Sequence, residues 1–188
     1  PSCQVLAAVH DALDEQSWLV VGALARDHAF RGTVDLAHLR ATMDVDLAVR
    51  VESWDEFRAA IDRLQQLEFN QTPVAHRLQY INGQSIDVLP FGAVEVDHHI
   101  AWPPDQEPTM NMLGFQDVFA AAETVVLPGG REIRVASLAG VAVLKIVAWH
   151  DNPGGRQRDL EDLAAMVGGV IDVLGWDRAH EEYPDILN

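Results

Sequence analysis

The sequence predicts a mixed α/β domain that ends in helices. Three observations carry this. An apolar run ends at Gly22 and passes straight into a helical pattern, "SWLVVGALARDHAF". Two alternating runs flank Asn82-Gly83, a strong local signal for a hairpin. From Ser137 onward the apolar spacing is helical. Counting elements gives a mixed α/β part over residues 1–136 and a helical segment over 137–188, packed on it.

Residues 2–15, "SCQVLAAVHDALDE", carry Val5, Leu6, Val9 and Leu13 at helical spacing. "SWLVVG" reads as a short buried strand and "ALARDHAF" as the helix after it. Residues 31–41 read as irregular. "VDLAVRV" is the next strand. "SWDEFRAAIDRLQQL" is an amphipathic helix, with Ser53 at its N-cap and Glu56 three residues on, the pattern of a capping box. "HRLQYINGQSIDVLP" is the hairpin turning at Asn82-Gly83. "PPDQEPTMNM", residues 103–112, reads as a loop. "TVVLPGGREIRV" reads as a second hairpin, turning at Pro128-Gly129-Gly130. "SLAGVAVLKIVAWH" and "GRQRDLEDLAAMV" are two helices joined by the breaker "DNPGG".

Composition narrows the function. The chain has 188 residues, 48% of them hydrophobic, enough for one domain with a real core. With 29 acidic and 13 basic residues the net charge is −16, which repels phosphate backbones at long range. A basic partner, a divalent cation or a small substrate is easier to accommodate. The lone Cys3 excludes an intramolecular disulfide, and no zinc-ligand spacing occurs. The longest apolar run is too short to span a bilayer, and a cytoplasmic location with no membrane partner is expected.

The chemistry concentrates in "RATMDVDLAV". Asp44 and Asp46 lie two apart on a strand, so both carboxylates share one face. Adjacent carboxylates repel unless a proton or cation lies between them, and Mg²⁺ is commonly held by one or two carboxylates plus substrate phosphates. A solvated strand face is the other reading. Asp87, between Ile86 and Val88 on a neighbouring hairpin strand, adds a third carboxylate that would complete a two-metal site. Gly22 at a strand–helix junction brings backbone N–H groups close to a phosphate, although a plain tight turn would look the same. Lys145 is the only charge within "SLAGVAVLKIVAW"; it either snorkels to solvent or offers a point charge to a triphosphate. Asp159 and Asp162, beside Arg156 and Arg158, read as a charged outer helix face. The scattered histidines have no ligand spacing.

"VVGALARD", "RATMDVDLAV", "IDVLPFG", "LAGVAVLKIVAWHD" and "RDLEDL", in that order, resemble nucleotidyltransferase-fold proteins of the AbiEii/AbiGii toxin type over residues 18–167. The resemblance implies a polymerase-β-like catalytic core, a mixed sheet flanked by helices, with a helical C-terminal segment. It implies that Gly22 and Ala23 cradle a triphosphate, with Arg40 and Thr42 beside the paired aspartates. Asp44, Asp46 and Asp87 would hold Mg²⁺ or Mn²⁺ as catalytic ligands. Lys145 would meet the nucleotide, and Asp159 or Asp162 would be the later acidic position. The implied reaction moves a nucleotide from an NTP to an acceptor: a small molecule, a protein or a tRNA. A cognate antitoxin is implied as well. Gly22-Ala23 departs from the commoner Gly-Gly or Gly-Ser, since Ala cannot take φ > 0 cheaply. That departure leaves a catalytically idle binding or regulatory module as the rival reading. The acidity disfavours a large RNA acceptor unless a patch around Arg26, Arg31 and Arg40 offsets it.

Overall fold

The computed structural model describes residues 2–13, 17–30 and 44–174. Helix α1 (Ser2–Ala12) leads to strand β1 (Trp18–Val21) and directly into helix α2 (Gly22–Ala29). Strand β2 (Val45–Val51) is followed by α3 (Trp54–Gln66), then β3 (Phe69–Gln71), β4 (Arg77–Tyr80) and β5 (Ser85–Gly92). A small ribbon, β6 (His99–Ala101) and β7 (Thr109–Asn111), precedes α4 (Phe115–Ala120). The hairpin β8 (Glu123–Val126) and β9 (Glu132–Val135) closes the sheet. Helices α5 (Leu138–Asp151) and α6 (Gln157–Leu174) complete the described chain.

Seven strands form one mixed sheet in the order β3-β4-β5-β2-β1-β9-β8. β2 runs parallel to β5 and antiparallel to β1, while β9 runs parallel to β1. The central strands are built for burial. Val45, Leu47, Val49 and Val51 on β2 and Ile86 and Val88 on β5 are all at most 2% exposed, the Val/Ile/Leu-rich pattern of strands buried in a sheet core. The intervening position on β2, Asp46, faces the other way.

Helix α3 starts as its sequence predicts, with one change. The Ser53 hydroxyl accepts from the Glu56 N–H at 3.2 Å. The Glu56 carboxylate reaches one residue further back than in a capping box and accepts from the Glu52 N–H at 2.7 Å.

Two expectations are corrected, and one unpredicted short helix, α4, is added. Residues 103–112 are not wholly a loop, because Thr109–Asn111 pairs with His99–Ala101. Helix α4 had no strong periodicity in its six residues. The β4–β5 turn is one residue longer than a two-residue Asn-Gly turn. Tyr80 and Gln84 pair through Tyr80 N–H to Gln84 O at 2.8 Å, leaving Ile81-Asn82-Gly83 as the loop, with Gly83 at φ +86°. The Asn82 side chain closes it by accepting from the Gln84 N–H. This extra residue sets which side chain faces Asp87.

Removing the α3 cap tests the local reading. Ser53→Ala should lower stability by about 1 kcal/mol, the usual value of a lost N-cap, measured by urea unfolding.

Candidate active site

The register of the sheet assembles the site. On parallel β2 and β5, Asp46 stands directly opposite Asp87. On antiparallel β4 and β5, Arg77 stands opposite Asp87, and on β1 and β2, Val21 stands opposite Asp46. Directly paired residues share a sheet face, so Arg77, Asp87, Asp46 and Val21 form one row across four strands. Asp87, Asp46 and Val21 of that row line a cleft of about 470 Å³, a size typical of small-molecule sites. Gly22, Ala23, Asp46 and Asp87 line it on one side, and Met110, Asn111 and Lys145 on others.

Asp46 has the least favourable environment of the group. Burial, then the charges of Asp87 and Asp44, push its carboxyl up to about 6, against weaker opposition from Lys145 and Arg77. Asp44 lies exposed just ahead of β2, close enough for its charge to act on both Asp46 and Arg77.

Gly22 makes this arrangement possible. Its φ is +67°, and a Cβ there would come within 2.0 Å of the Asp46 Oδ2. Only glycine combines the left-handed backbone with that close approach. The left-handed conformation falls on Gly22 alone of the pair, since Ala23 keeps a negative φ. The departure at Ala23 therefore costs the backbone nothing.

Asp87 is held by a residue that the sequence reading overlooked. Arg77 Nε donates to Asp87 Oδ1 at 2.7 Å and Nη2 to Oδ2 at 2.8 Å, a bidentate pair. Asp87, followed by the charges of Asp44 and Asp46, drives the Arg77 pKa upward. His76, next in the chain, also lines the cleft, with its ring tilted over Trp102. Burial pulls its pKa down, more than the Asp87 charge raises it.

Lys145 does not snorkel freely. Its side chain is 12% exposed, and its ammonium donates to Asp159 at 2.9 Å and Asp162 at 2.6 Å. Asp162 also pairs with Arg26 at 2.6 Å, and Arg26 pairs with Asp27. Asp159 and Asp162 are thus an inward-facing ionic junction between α2, α5 and α6, not an outer helix face. Arg26, only 1% exposed, cannot contribute to a surface basic patch. Arg31, Arg40 and Thr42 lie outside the described residues.

Among the described residues, no three His, Cys, Asp or Glu side chains are grouped to hold a metal ion. The two carboxylates that do meet still suit a hard divalent cation shared with phosphates, because both offer only oxygen. Arg77 occupies two of the roughly four lone-pair sites on the Asp87 carboxylate, and no other described residue hydrogen-bonds to the rest.

The nucleotidyl transferase AbiEii toxin family, a type IV toxin–antitoxin system, matches residues 5–183. The chain belongs to that family. It is a nucleotidyltransferase toxin of the AbiEii type. Its fold is similar to the solution structure of the antibiotic-resistance factor ANT(2'')-Ia, with a TM-score of 0.53 at 17% identity. That alignment covers 98% of this chain and 94% of the other. No curated protein matches the chain significantly. Among the described residues, no helix of this AbiEii protein is long and apolar enough to cross a membrane.

Two variants probe the electrostatics. The Asp46 carboxyl is raised from 3.8 to about 6, so the folded state binds its proton more tightly than the unfolded state. Its ionisation then costs stability that is absent below about pH 4, grows between pH 4 and 6, and reaches at most about 3 kcal/mol above that. In chelator, Asp46→Asn should therefore melt higher than wild type at pH 8 and converge with it near pH 4. A pH-independent difference would contradict the assignment. Lys145→Met should take the ammonium from Asp159 and leave Asp162 with Arg26 alone, at a cost of about 2–4 kcal/mol in urea unfolding. A loss below about 0.5 kcal/mol would show a solvent-screened pair instead.

Proposed function

We propose that this chain transfers a nucleotide from an NTP to an acceptor hydroxyl, with Mg²⁺ or Mn²⁺ carried between the Asp46–Asp87 pair and the triphosphate. The single observation that supports this most is the register pairing of Asp46 with Asp87 at a cleft bounded by the Gly22 turn. Two crowded carboxylates facing an open cleft call for positive charge, and a cation-bound triphosphate brings it.

Asp46 and Asp87 would hold the cation, with Asp44 adding negative potential from the strand entry. When bound, that cation supplies positive charge to the phosphates and to the attacking oxygen. The N-terminus of α2, at Gly22 and Ala23, would receive phosphate oxygens on its backbone N–H groups. Lys145, fixed by Asp159 and Asp162, would present its ammonium to the triphosphate without rotamer search. The acceptor oxygen forms its bond to the α-phosphorus in line with the breaking bond to pyrophosphate, and its hydroxyl proton passes to solvent. Asp159 and Asp162 act here through Lys145 rather than on the nucleotide. The acceptor is a small molecule, a protein or a tRNA; the charge of −16 weighs against a large RNA. A cytoplasmic setting with a cognate antitoxin accords with the family's toxin–antitoxin context. The domain division proposed is a catalytic core over residues 1–136 and a helical segment over 137–188.

The Arg77 clasp on Asp87 is the one observation that favours the rival, an idle binding module. Incubation with α-labelled NTPs, Mg²⁺ and candidate acceptors separates the two. Label should move to an acceptor with wild type and fall at least a hundredfold with Asp46→Asn or Asp87→Asn. Mg²⁺-dependent NTP binding without transfer to any acceptor would favour the idle module. Neither binding nor transfer would remove the cleft as a nucleotide site.

A further inference from the structure

Arg77 is not a cleft-lining residue, yet among the described residues it is the one that grips both oxygens of Asp87. It comes from β4 in direct register with Asp87, on the row that continues to Asp46. Its two donors meet the two carboxylate oxygens separately, at 2.7 and 2.8 Å. A side-on fork of this kind fixes the plane of a carboxylate as well as its position. With Asp87 16% exposed, the pair is half enclosed rather than free in solvent.

We propose that Arg77 is a positioning residue for nucleotidyl transfer: its guanidinium fixes the Asp87 carboxylate so that the oxygen lone pairs it leaves open face the cleft. This rests on the nucleotidyl-transfer reading of the same site. The alternative role is an ordinary cross-strand ion pair, which would contribute only a few tenths of a kcal/mol to about 1 kcal/mol to the sheet. The two roles predict different things. A cross-strand pair needs only opposite charge, which lysine also supplies. Positioning needs the planar fork, which lysine lacks. Asp87 otherwise stands beside Asp46, whose charge would turn it away from the cleft's centre. The guanidinium holds it in place and adds positive charge on the side away from Asp46.

The test is a cycle of Arg77→Lys, Asp87→Asn and the double variant. Three quantities are followed: melting temperature, Mn²⁺ affinity by electron paramagnetic resonance with a non-hydrolysable NTP, and kcat and KM for transfer. Arg77→Lys should melt within a few degrees of wild type and keep its KM for NTP. Its kcat and Mn²⁺ affinity should each fall roughly tenfold or more, as when a residue orienting a metal ligand is lost. In the Asp87→Asn background the same change should add nothing, because Arg77 acts through Asp87. If Arg77→Lys folds poorly, Arg77→Gly with added ethylguanidinium replaces it, and restored Mn²⁺ affinity is expected. Wild-type kcat and Mn²⁺ affinity in Arg77→Lys would overturn the assignment. So would effects that multiply in the double variant, which would place Arg77 directly on substrate. A wild-type protein that neither binds Mn²⁺ with NTP nor transfers would overturn the parent reading, and this one with it.

Discussion

The parallel register between β2 and β5 is the constraint on which the site depends. It sets Asp46 opposite Asp87 and thereby places two like charges side by side on a largely buried sheet. A slip of one residue on either strand would turn one carboxylate to the apolar face and dissolve the pair. The opposite face makes that slip expensive. Val45, Leu47, Val49, Ile86 and Val88 are buried there, and each would be driven into the cleft. The hydrophobic core therefore fixes the spacing of the charges, and the charges need no attraction of their own to stay together.

The neighbours of this pair all read as responses to it. Gly22 removes a side chain where the Asp46 carboxylate needs room. Arg77 takes both oxygens of Asp87, and Lys145 brings a cation to the far wall of the cleft. None of them neutralises Asp46, whose carboxyl remains raised to about 6. Full neutralisation would leave the cleft with no demand for a cation. The residual repulsion is a local loss of stability retained at the place where a charged ligand is expected, a pattern common to binding and catalytic sites.

Much of this was legible in the sequence because it is local. Asp-x-Asp spacing, the apolar alternation around Asp87 and the strand-to-helix step at Gly22 each report a backbone period. The hairpin was legible too, but its register was not. A two-residue Asn82-Gly83 turn pairs Ile81 with Gln84 and hence Arg77 with Val88. The actual loop, Ile81 to Gly83, pairs Arg77 with Asp87. One residue of turn length hid the residue that grips the third aspartate. Lys145 was hidden for a different reason. Its partners lie 14 and 17 residues onward, across a helix break whose geometry no local pattern gives. Arg26 looked like a surface cation because its partner Asp162 lies far along the chain, on α6, which folds back to reach it. The β6–β7 ribbon was missed because three-residue strands beside prolines carry little alternation.

That fold-back gives the C-terminal helices a part in the site. Asp162 takes Arg26 of α2 on one oxygen and Lys145 of α5 on the other. The same α2 begins at Gly22, whose backbone touches Asp46. A shift of α6 would thus be felt at both walls of the cleft: through Lys145 on one side and through the N-terminus of α2 on the other. Buried ion pairs add little net stability, since desolvation offsets most of their attraction. What they add is direction, because a charge left without its partner in such a place is costly. The pairs that join Arg26, Asp162, Lys145 and Asp159 therefore favour the arrangement seen, which holds the ammonium at the cleft. On this argument the helical segment is not an appendage packed on a finished core. It supplies the carboxylates that fix the lysine, and through Arg26 it anchors the helix whose first turn faces Asp46.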